Sequence, residues 1–349
     1  MAKRRINLAL QGGGAHGAFA WGVLDRLLDE PEIEFSAVSG TSAGALNGAA
    51  LAAGLASGAG VRGRHAAQEN LAYIWDQVGQ ISDNNVVRWL YSMFPMPRSW
   101  QRFAELFSPA GWMETLTRVF SPYDSGPFYC NPLAAIIQEM PHPKLDRDEG
   151  PRLFVTATNV RTGLVRVFRG HEVTIDTILA SACLPEVFRA VEIDDPKTGK
   201  REAYWDGGYS GNPALFPLYA PDLPRDIVIV NINPMLRDAI PKSPAAIQDR
   251  VNEISFNASL LAELRAINFV KRLHAQNRLT GLPMKNVLLH AIMDEDLMNS
   301  LSASTKLLPK PGLLATMHAA GKVAADRFLE TGAKDIGVRD SYDITHLFR

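Results

Sequence analysis

Gly40-Thr41-Ser42-Ala43-Gly44 follows the pattern Gly-x-Ser-x-Gly and lies between two different kinds of sequence. Phe35, Ala37 and Val38 precede it and favour a short buried strand, whereas the Ala- and Leu-rich run behind it favours a helix. A strand, a sharp turn and a helix form the context of a nucleophile elbow, in which the turn exposes the serine hydroxyl. The glycines on either side of the serine let the strand and the helix approach closely.

A second glycine-rich turn, Gly12-Gly13-Gly14-Ala15-His16-Gly17, also follows a strand and opens a helix. As Gly-x-Gly-x-x-Gly it matches the fingerprint of dinucleotide-binding folds. Acidic residues stand about 20 residues further on, where a ribose-binding carboxylate is expected, namely Glu30, Glu32 and Glu34. Alternatively, its successive N–H groups, at the positive end of a helix dipole, form an oxyanion hole for acyl transfer. The elbow is the very next strand–helix unit, which favours the oxyanion hole.

The alternation of elements along the chain predicts an α/β fold with three layers, α/β/α, around a largely parallel central sheet. We expect strands at 4–10, 35–39, 153–158, 164–168, 203–205, 226–233 and 287–292, and helices at 17–29, 44–56, 65–80, 132–140, 174–183, 244–280 and 311–331. The pattern changes near residue 240. We therefore predict a catalytic domain over 1–240 and a helical C-terminal extension over 241–349 that packs on it.

Composition excludes several classes of protein. Hydrophobic residues make up 46% and charged residues 21% of the chain, as in ordinary folded proteins, and the net charge of −1 argues against nucleic-acid binding. Cys130 and Cys183 cannot form a disulfide framework and are expected to be buried free thiols. The apolar stretch behind the basic N-terminus is too short for a signal peptide, which indicates a cytoplasmic protein. The uncharged run 35–61 is long enough to span a bilayer, but its Ala, Gly and Ser content indicates close packing inside a protein.

Two segments carry open alternatives. Residues 86–128 are rich in Trp, Phe, Leu and Met, and they form either a helical layer on the core or a lid and acyl-chain surface at the site. The amphipathic run 244–280 packs within the molecule, forms a homo-oligomer interface or docks on a membrane.

The base that activates Ser42 is expected to be Asp206 rather than a histidine. A serine hydroxyl is a poor nucleophile without a base. The histidines considered lie in ordinary elements or out of the chain order of an α/β-hydrolase and are expected to be structural: His171, His274, His290 and His318. Asp206 follows a short apolar strand and precedes Gly207 and Gly208, which let the backbone bend and aim the carboxylate into the sheet edge. By itself, Asp-Gly-Gly is also an ordinary turn sequence.

The three elements in this order resemble the patatin-like phospholipase family, with the glycine turn first, the Gly-x-Ser-x-Gly elbow next and Asp-Gly-Gly far downstream. Two further segments resemble that family, Ser181-Ala182-Cys183-Leu184-Pro185 before the aspartate and Asn212-Pro213 after it. The resemblance covers roughly residues 5–235.

This resemblance implies a lipid acyl-ester hydrolase of the phospholipase A, lysophospholipase or lipase type that uses neither metal nor organic cofactor. Ser42 is then the nucleophile and Asp206 the base, and the backbone N–H groups of Gly12, Gly13 and Gly14 form the oxyanion hole. The motif-supporting glycines are Gly17, Gly40, Gly44, Gly207 and Gly208. The implied partner is a lipid or acyl-ester substrate, met at a membrane surface, and not nucleic acid.

One position departs from the family. Its members usually carry Arg or Lys in the glycine turn, where this chain has His16. A neutral His16 weakens the expectation of a phospholipid relative to a neutral ester or thioester. Two other classes stay open at this point, a nucleotide-binding oxidoreductase that uses the glycine turn and a non-catalytic lipid- or partner-binding module that uses the aromatic segment.

Overall fold

The computed structural model describes residues 3–84, 121–124, 129–143, 149–237, 240–279, 284–301 and 303–348. The strands are β1 (Arg4–Leu10), β2 (Ile33–Thr41), β3 (Arg152–Asn159), β4 (Val165–Arg169), β5 (Val191–Asp195), β6 (Lys200–Asp206), β7 (Asp226–Val230) and β8 (Leu288–Ile292). The α-helices are α1 (Gly17–Leu28), α2 (Ala43–Ala56), α3 (Val61–Asn84), α4 (Pro132–Gln138), α5 (Ile175–Ser181), α6 (Pro244–Ala275), α7 (Glu295–Ser300) and α8 (Pro311–Glu330).

All eight strands belong to one sheet with the order β5-β6-β3-β2-β1-β7-β8, and β4 pairs with β3. The run β3-β2-β1-β7-β8 is parallel, whereas β4, β5 and β6 join by antiparallel pairings. The predicted α/β fold with a largely parallel sheet is confirmed.

Helices cover both faces of the sheet, because alternate side chains of a strand point to opposite faces. Leu8 and Leu10 of β1 belong to the larger core cluster, together with residues of α1, α2, α3 and α8. Ala9 belongs to the second cluster, where Leu260 and Leu264 of α6 pack. These are the three predicted layers.

The antiparallel strand β6 fixes the position of Asp206. One edge of β3 pairs with β4 over 154–158. Two strands share the other edge of β3, because β2 pairs with residues 152–156 and β6 pairs with residues 157–159. The C-terminal ends of β2 and β6 therefore meet beside β3. Thr41 is opposite Thr156, and Asp206 is opposite the next residue.

Several sequence predictions need correction. The sequence analysis missed β5, a half-exposed strand that extends the antiparallel edge of the sheet. Cys183 is a buried free thiol as predicted, but Cys130 is exposed. The predicted last strand exists as β8, so the chain beyond residue 240 adds a strand to the sheet as well as helices. The division into domains at residue 240 stays a prediction.

Two further predictions concern membranes and the aromatic segment. Within the part of the chain that the structure describes, no helix combines the length and hydropathy needed to cross a bilayer. Most of 86–128, the proposed lid or helical layer, lies outside the described residues.

Candidate active site

Ser42 occupies a strained turn between β2 and α2. Its backbone has φ 55° and ψ −124°, a left-handed conformation that is rare for residues other than glycine. A Cβ on Gly44 would lie 2.1 Å from the carbonyl oxygen of Leu10, and one on Gly40 would lie 2.3 Å from that of Gly44. Both elbow positions therefore require glycine, as the sequence pattern indicated.

Ser181, at the end of α5, forms a hydrogen bond with the backbone of the elbow. Its Oγ accepts a hydrogen bond from the Ser42 N–H at 2.9 Å and donates one to the Thr156 carbonyl at 2.6 Å. The side chain is fully buried. In the sequence, Ser181 stands out only as part of a family segment, because its hydrogen-bond partners lie far away along the chain.

Replacing Ser181 with alanine should leave a buried donor and a buried acceptor unpaired. We expect the free energy of unfolding to fall by about 2–4 kcal/mol, since each such group costs about 1–3 kcal/mol. Urea unfolding measures this change. Ser57→Ala is the matched control, because the half-buried Ser57 hydroxyl, just after α2, bonds to the Ala53 carbonyl and to no other described residue. An equal fall in the free energy of unfolding for both substitutions would contradict a role of Ser181 in stabilising the elbow.

Asp206 ends β6 and is fully buried. Its Oδ1 accepts a hydrogen bond from the Gly208 N–H at 2.7 Å, and its Oδ2 has no hydrogen-bond partner among the described residues. The Ser42 hydroxyl is close enough to lower the pKa of Asp206 by hydrogen bonding, but the two groups do not reach full hydrogen-bond geometry. Such contacts are often long in ligand-free enzymes and tighten when substrate binds. Gly207 allows this turn, since a Cβ there would lie 2.2 Å from the Thr156 carbonyl oxygen.

Burial raises the pKa of Asp206 to about 7. The Gly208 N–H and the Ser42 hydroxyl oppose this change in pKa, and the negative charge of Glu186 adds to it. The carboxyl group is thus partly protonated at neutral pH. A buried carboxylate with a free oxygen is a good proton acceptor for a neighbouring hydroxyl.

The first glycine turn packs directly on the elbow. A Cβ on Gly12 would lie 2.6 Å from the Ser42 Cβ and 2.8 Å from the Thr41 carbonyl oxygen. However, the Gly12 N–H already donates to Asn212 Oδ1 at 2.7 Å, so it is not available to an oxyanion. In the described structure, the N–H groups of Gly13 and Gly14 have no acceptor. Of the three predicted donors, Gly13 and Gly14 thus have N–H groups without an acceptor among the described residues, and the oxyanion hole itself stays a prediction.

A buried polar network behind the turn was not visible in the sequence. Gln11 Oε1 accepts hydrogen bonds from the N–H groups of Ile232 and Asn233, and Asn233 Nδ2 donates to the Gly12 carbonyl at 2.8 Å. Asn257 of α6 joins this network through Gln11 Nε2. These residues come from separate elements, and no local pattern marks them.

His16 is buried and neutral. Its Nε2 lies 2.7 Å from Thr305 Oγ1, and its Nδ1 has no partner among the described residues. Burial, followed by the charges of Lys306 and Arg237, lowers the pKa of His16 to about 3. His16 therefore supplies no positive charge to the glycine turn.

The other histidines considered as bases form their contacts away from Ser42 and Asp206. His290 contacts Asp226 and Ser341, and Asp226 begins β7, at the end of the sheet opposite the elbow. His318 contacts Asp25, and His274 contacts a backbone carbonyl. No histidine of the described segments forms a hydrogen bond with Ser42 or Asp206. These segments also contain no group of three or more His, Cys, Asp or Glu residues arranged to hold a metal ion.

Comparison with known proteins identifies one family whose model matches this sequence. A family model described as patatin-like phospholipase matches residues 8–219, more than half of the chain. The crystal structure of VipD from Legionella pneumophila is similar at 18% sequence identity, over 95% of this chain and 67% of that chain, with a TM-score of 0.42. A likeness of that size carries no argument about function. No curated protein sequence matches the chain.

Proposed function

The chain belongs to the patatin-like phospholipase family, whose members are lipid acyl hydrolases acting on ester bonds, and we propose that it works through a Ser42–Asp206 dyad. The observation that carries the proposal is that the ends of β2 and β6 meet beside β3. Ser42 therefore lies next to a buried carboxylate, one oxygen of which has no hydrogen-bond partner among the described residues. The oxyanion in this proposal binds the N–H groups of Gly13 and Gly14.

The proposed reaction has two halves. The Ser42 Oγ attacks the acyl carbonyl carbon, its proton moves to Asp206 Oδ2, and the carbonyl oxygen becomes an oxyanion. When the tetrahedral intermediate collapses, the ester C–O bond breaks and the leaving alcohol takes the proton from Asp206. Water then attacks the acyl-enzyme by the same route and releases the fatty acid and Ser42. Each lost oxyanion donor costs about 3 kcal/mol in such reactions.

The raised pKa of Asp206 predicts the acid limb of the pH–rate profile. The base form is the carboxylate, so kcat/KM should rise as pH increases through about 7. Glu186→Gln removes a charge that raises the Asp206 pKa, so that variant should have its acid limb at a lower pH. Initial rates on a soluble ester whose own ionisation is constant measure both profiles. An acid limb near the usual aspartate pKa of about 4 would contradict the raised pKa of Asp206, and a limb that does not move in Glu186→Gln would count against Asp206 as the group that titrates.

A substrate panel tests the proposed function. Wild type and Ser42→Ala are compared on a nitrophenyl ester, a monoacylglycerol, an acyl thioester, a lysophospholipid and diacylphospholipid vesicles, all with the same acyl chain. Fatty-acid release by wild type and none by the variant is the expected result. Equal release by both would contradict the dyad.

The same panel separates the substrate alternatives. The neutral His16 favours a neutral ester or thioester, since His16 itself adds no positive charge that suits a phosphate group. Family membership places the activity among the lipid acyl hydrolases, so the oxidoreductase interpretation is not retained. Contact with a membrane surface, a cytoplasmic location and a homo-oligomer through the C-terminal region stay predictions.

A further inference from the structure

Lys306 lies against the glycine turn from a distant part of the chain. Lys306 belongs to the 3₁₀ helix Ala303–Leu307. The preceding residue in this helix, Thr305, contacts His16 of the turn. A Cβ on Gly14 would lie 2.2 Å from the Lys306 carbonyl oxygen and 3.4 Å from its Cβ. The lysine backbone therefore packs on the residue that offers one of the two available N–H groups.

The ammonium group of Lys306 is connected to the same turn by hydrogen bonds. Its Nζ donates to Asn233 Oδ1 at 2.6 Å, and Asn233 Nδ2 donates to the Gly12 carbonyl at 2.8 Å. The backbone N–H of Asn233 donates to Gln11 Oε1 at 3.0 Å. The Lys306 ammonium group thus orients the Asn233 side-chain amide, which in turn binds the Gly12 carbonyl of the turn.

The charge of Lys306 has no close counterion in the described part of the chain, where no carboxylate lies within ion-pair distance of its Nζ. Arg237, whose charge acts on Lys306, is paired with Glu253 at 2.6 Å, and Glu253 also binds Arg250. The Lys306 side chain is half-buried, and of the three N–H donors of its ammonium group one has an acceptor among the described residues. The charge of Lys306 is therefore not neutralised by a direct ion pair with a described residue, although Glu253 and Asp249 act on it from a greater distance.

We propose that Lys306 is a positioning residue of the oxyanion site, which orients the glycine turn through Asn233 and favours, by its charge, the anion that forms there. This inference rests on the proposed function, because it needs an acyl-transfer transition state at Gly13 and Gly14. An oriented charge near a developing oxyanion lowers the free energy of the transition state more than that of the bound substrate.

The surroundings of Lys306 give this role a pH dependence. Burial lowers the pKa of Lys306 to about 8. Glu253 and Asp249 of α6 raise this pKa, Arg237 lowers it further, and His16 on the turn is neutral. The ammonium charge is therefore present at neutral pH and is lost as the pH rises through about 8. We expect the kcat profile to have an alkaline limb there.

The test measures kcat and KM from about pH 5 to about pH 10 for wild type, Lys306→Met and Lys306→Arg. Lys306→Met should lower kcat at neutral pH by about tenfold, less than the loss of a direct oxyanion donor, with little change in KM. Its alkaline limb should disappear. Lys306→Arg should restore most of kcat and should also lack the limb, because arginine does not titrate in this range. Lys322→Met, at a half-exposed lysine of α8, is the matched control.

Three results would overturn the inference. An alkaline limb that persists near the same pH in Lys306→Arg would show that another group titrates, even if Lys306→Met does not fold. A folded Lys306→Met variant with an unchanged kcat would show that Lys306 does not contribute to catalysis. A loss confined to phosphate-bearing substrates would mean that Lys306 binds a headgroup instead. If wild type neither hydrolyses an ester nor reacts with a fluorophosphonate, the proposed function itself fails, which is a separate outcome.

Discussion

Ser42→Ala should lower kcat for ester hydrolysis by about 10⁴-fold or more, since removal of the nucleophile leaves only binding and oxyanion stabilisation. Alanine is no larger than serine, so the close contact between Gly12 and the elbow is kept. Initial rates on a soluble nitrophenyl ester and fatty-acid release from vesicles measure the effect. Ser57→Ala should retain the activity of wild type, because the Ser57 hydroxyl follows α2 and, among the described residues, bonds to the Ala53 carbonyl alone.

The stability of Ser42→Ala completes this prediction. The substitution keeps the Ser42 N–H that binds Ser181, so the variant should unfold at nearly the same urea concentration as wild type. An inactive variant with wild-type stability identifies a chemical role for Ser42. A folded variant with more than a few per cent of wild-type activity would contradict the assignment of Ser42 as nucleophile.

Asp206→Asn should lower kcat by about 10³–10⁴-fold, because asparagine cannot accept the proton of Ser42. The same variant should be more stable than wild type at high pH. The folded pKa of about 7 lies above the usual aspartate value of about 4, so ionisation of Asp206 destabilises the fold as pH rises through this window. A difference of three pKa units corresponds to about 4 kcal/mol. The asparagine side chain of the variant remains neutral, and its oxygen can still accept the Gly208 N–H bond.

Urea unfolding at about pH 5 and about pH 8, with activity assays on the same samples, measures both effects of Asp206→Asn. The gain in stability over wild type should be larger at the higher pH. His171→Gln and His274→Gln are the controls for catalysis and should stay active. Near-full activity of Asp206→Asn together with an inactive histidine variant would contradict the dyad.

Local motif chemistry made much of the site predictable from sequence. Gly40 and Gly44 are required by backbone contacts of a strand–turn–helix unit, and such a unit leaves a pattern within a few residues. The position of Asp206 was predicted from the glycines after it. The sequence did not reveal the antiparallel pairing of β6 that brings it to the end of β2, because register between distant strands leaves no local pattern.

What the sequence did not predict depends on contacts between distant residues. The Asn212 side chain accepts a hydrogen bond from the Gly12 N–H across 200 residues of chain, which leaves Gly13 and Gly14 as the proposed oxyanion donors. Lys306 reaches the same turn through Asn233, and Ser181 reaches the elbow from α5. The raised pKa of Asp206 follows from burial, which is a property of the whole fold.

The central claim is that Ser42 is an activated nucleophile beside a buried carboxylate. Its most direct test is reaction with a fluorophosphonate, followed by intact mass measurement and peptide mapping of wild type, Ser42→Ala and Asp206→Asn. Wild type should gain a single adduct on the peptide that contains Ser42, Asp206→Asn should react far more slowly, and Ser42→Ala should remain unlabelled. An adduct on another residue, or no adduct on a sample that hydrolyses esters, would contradict the claim.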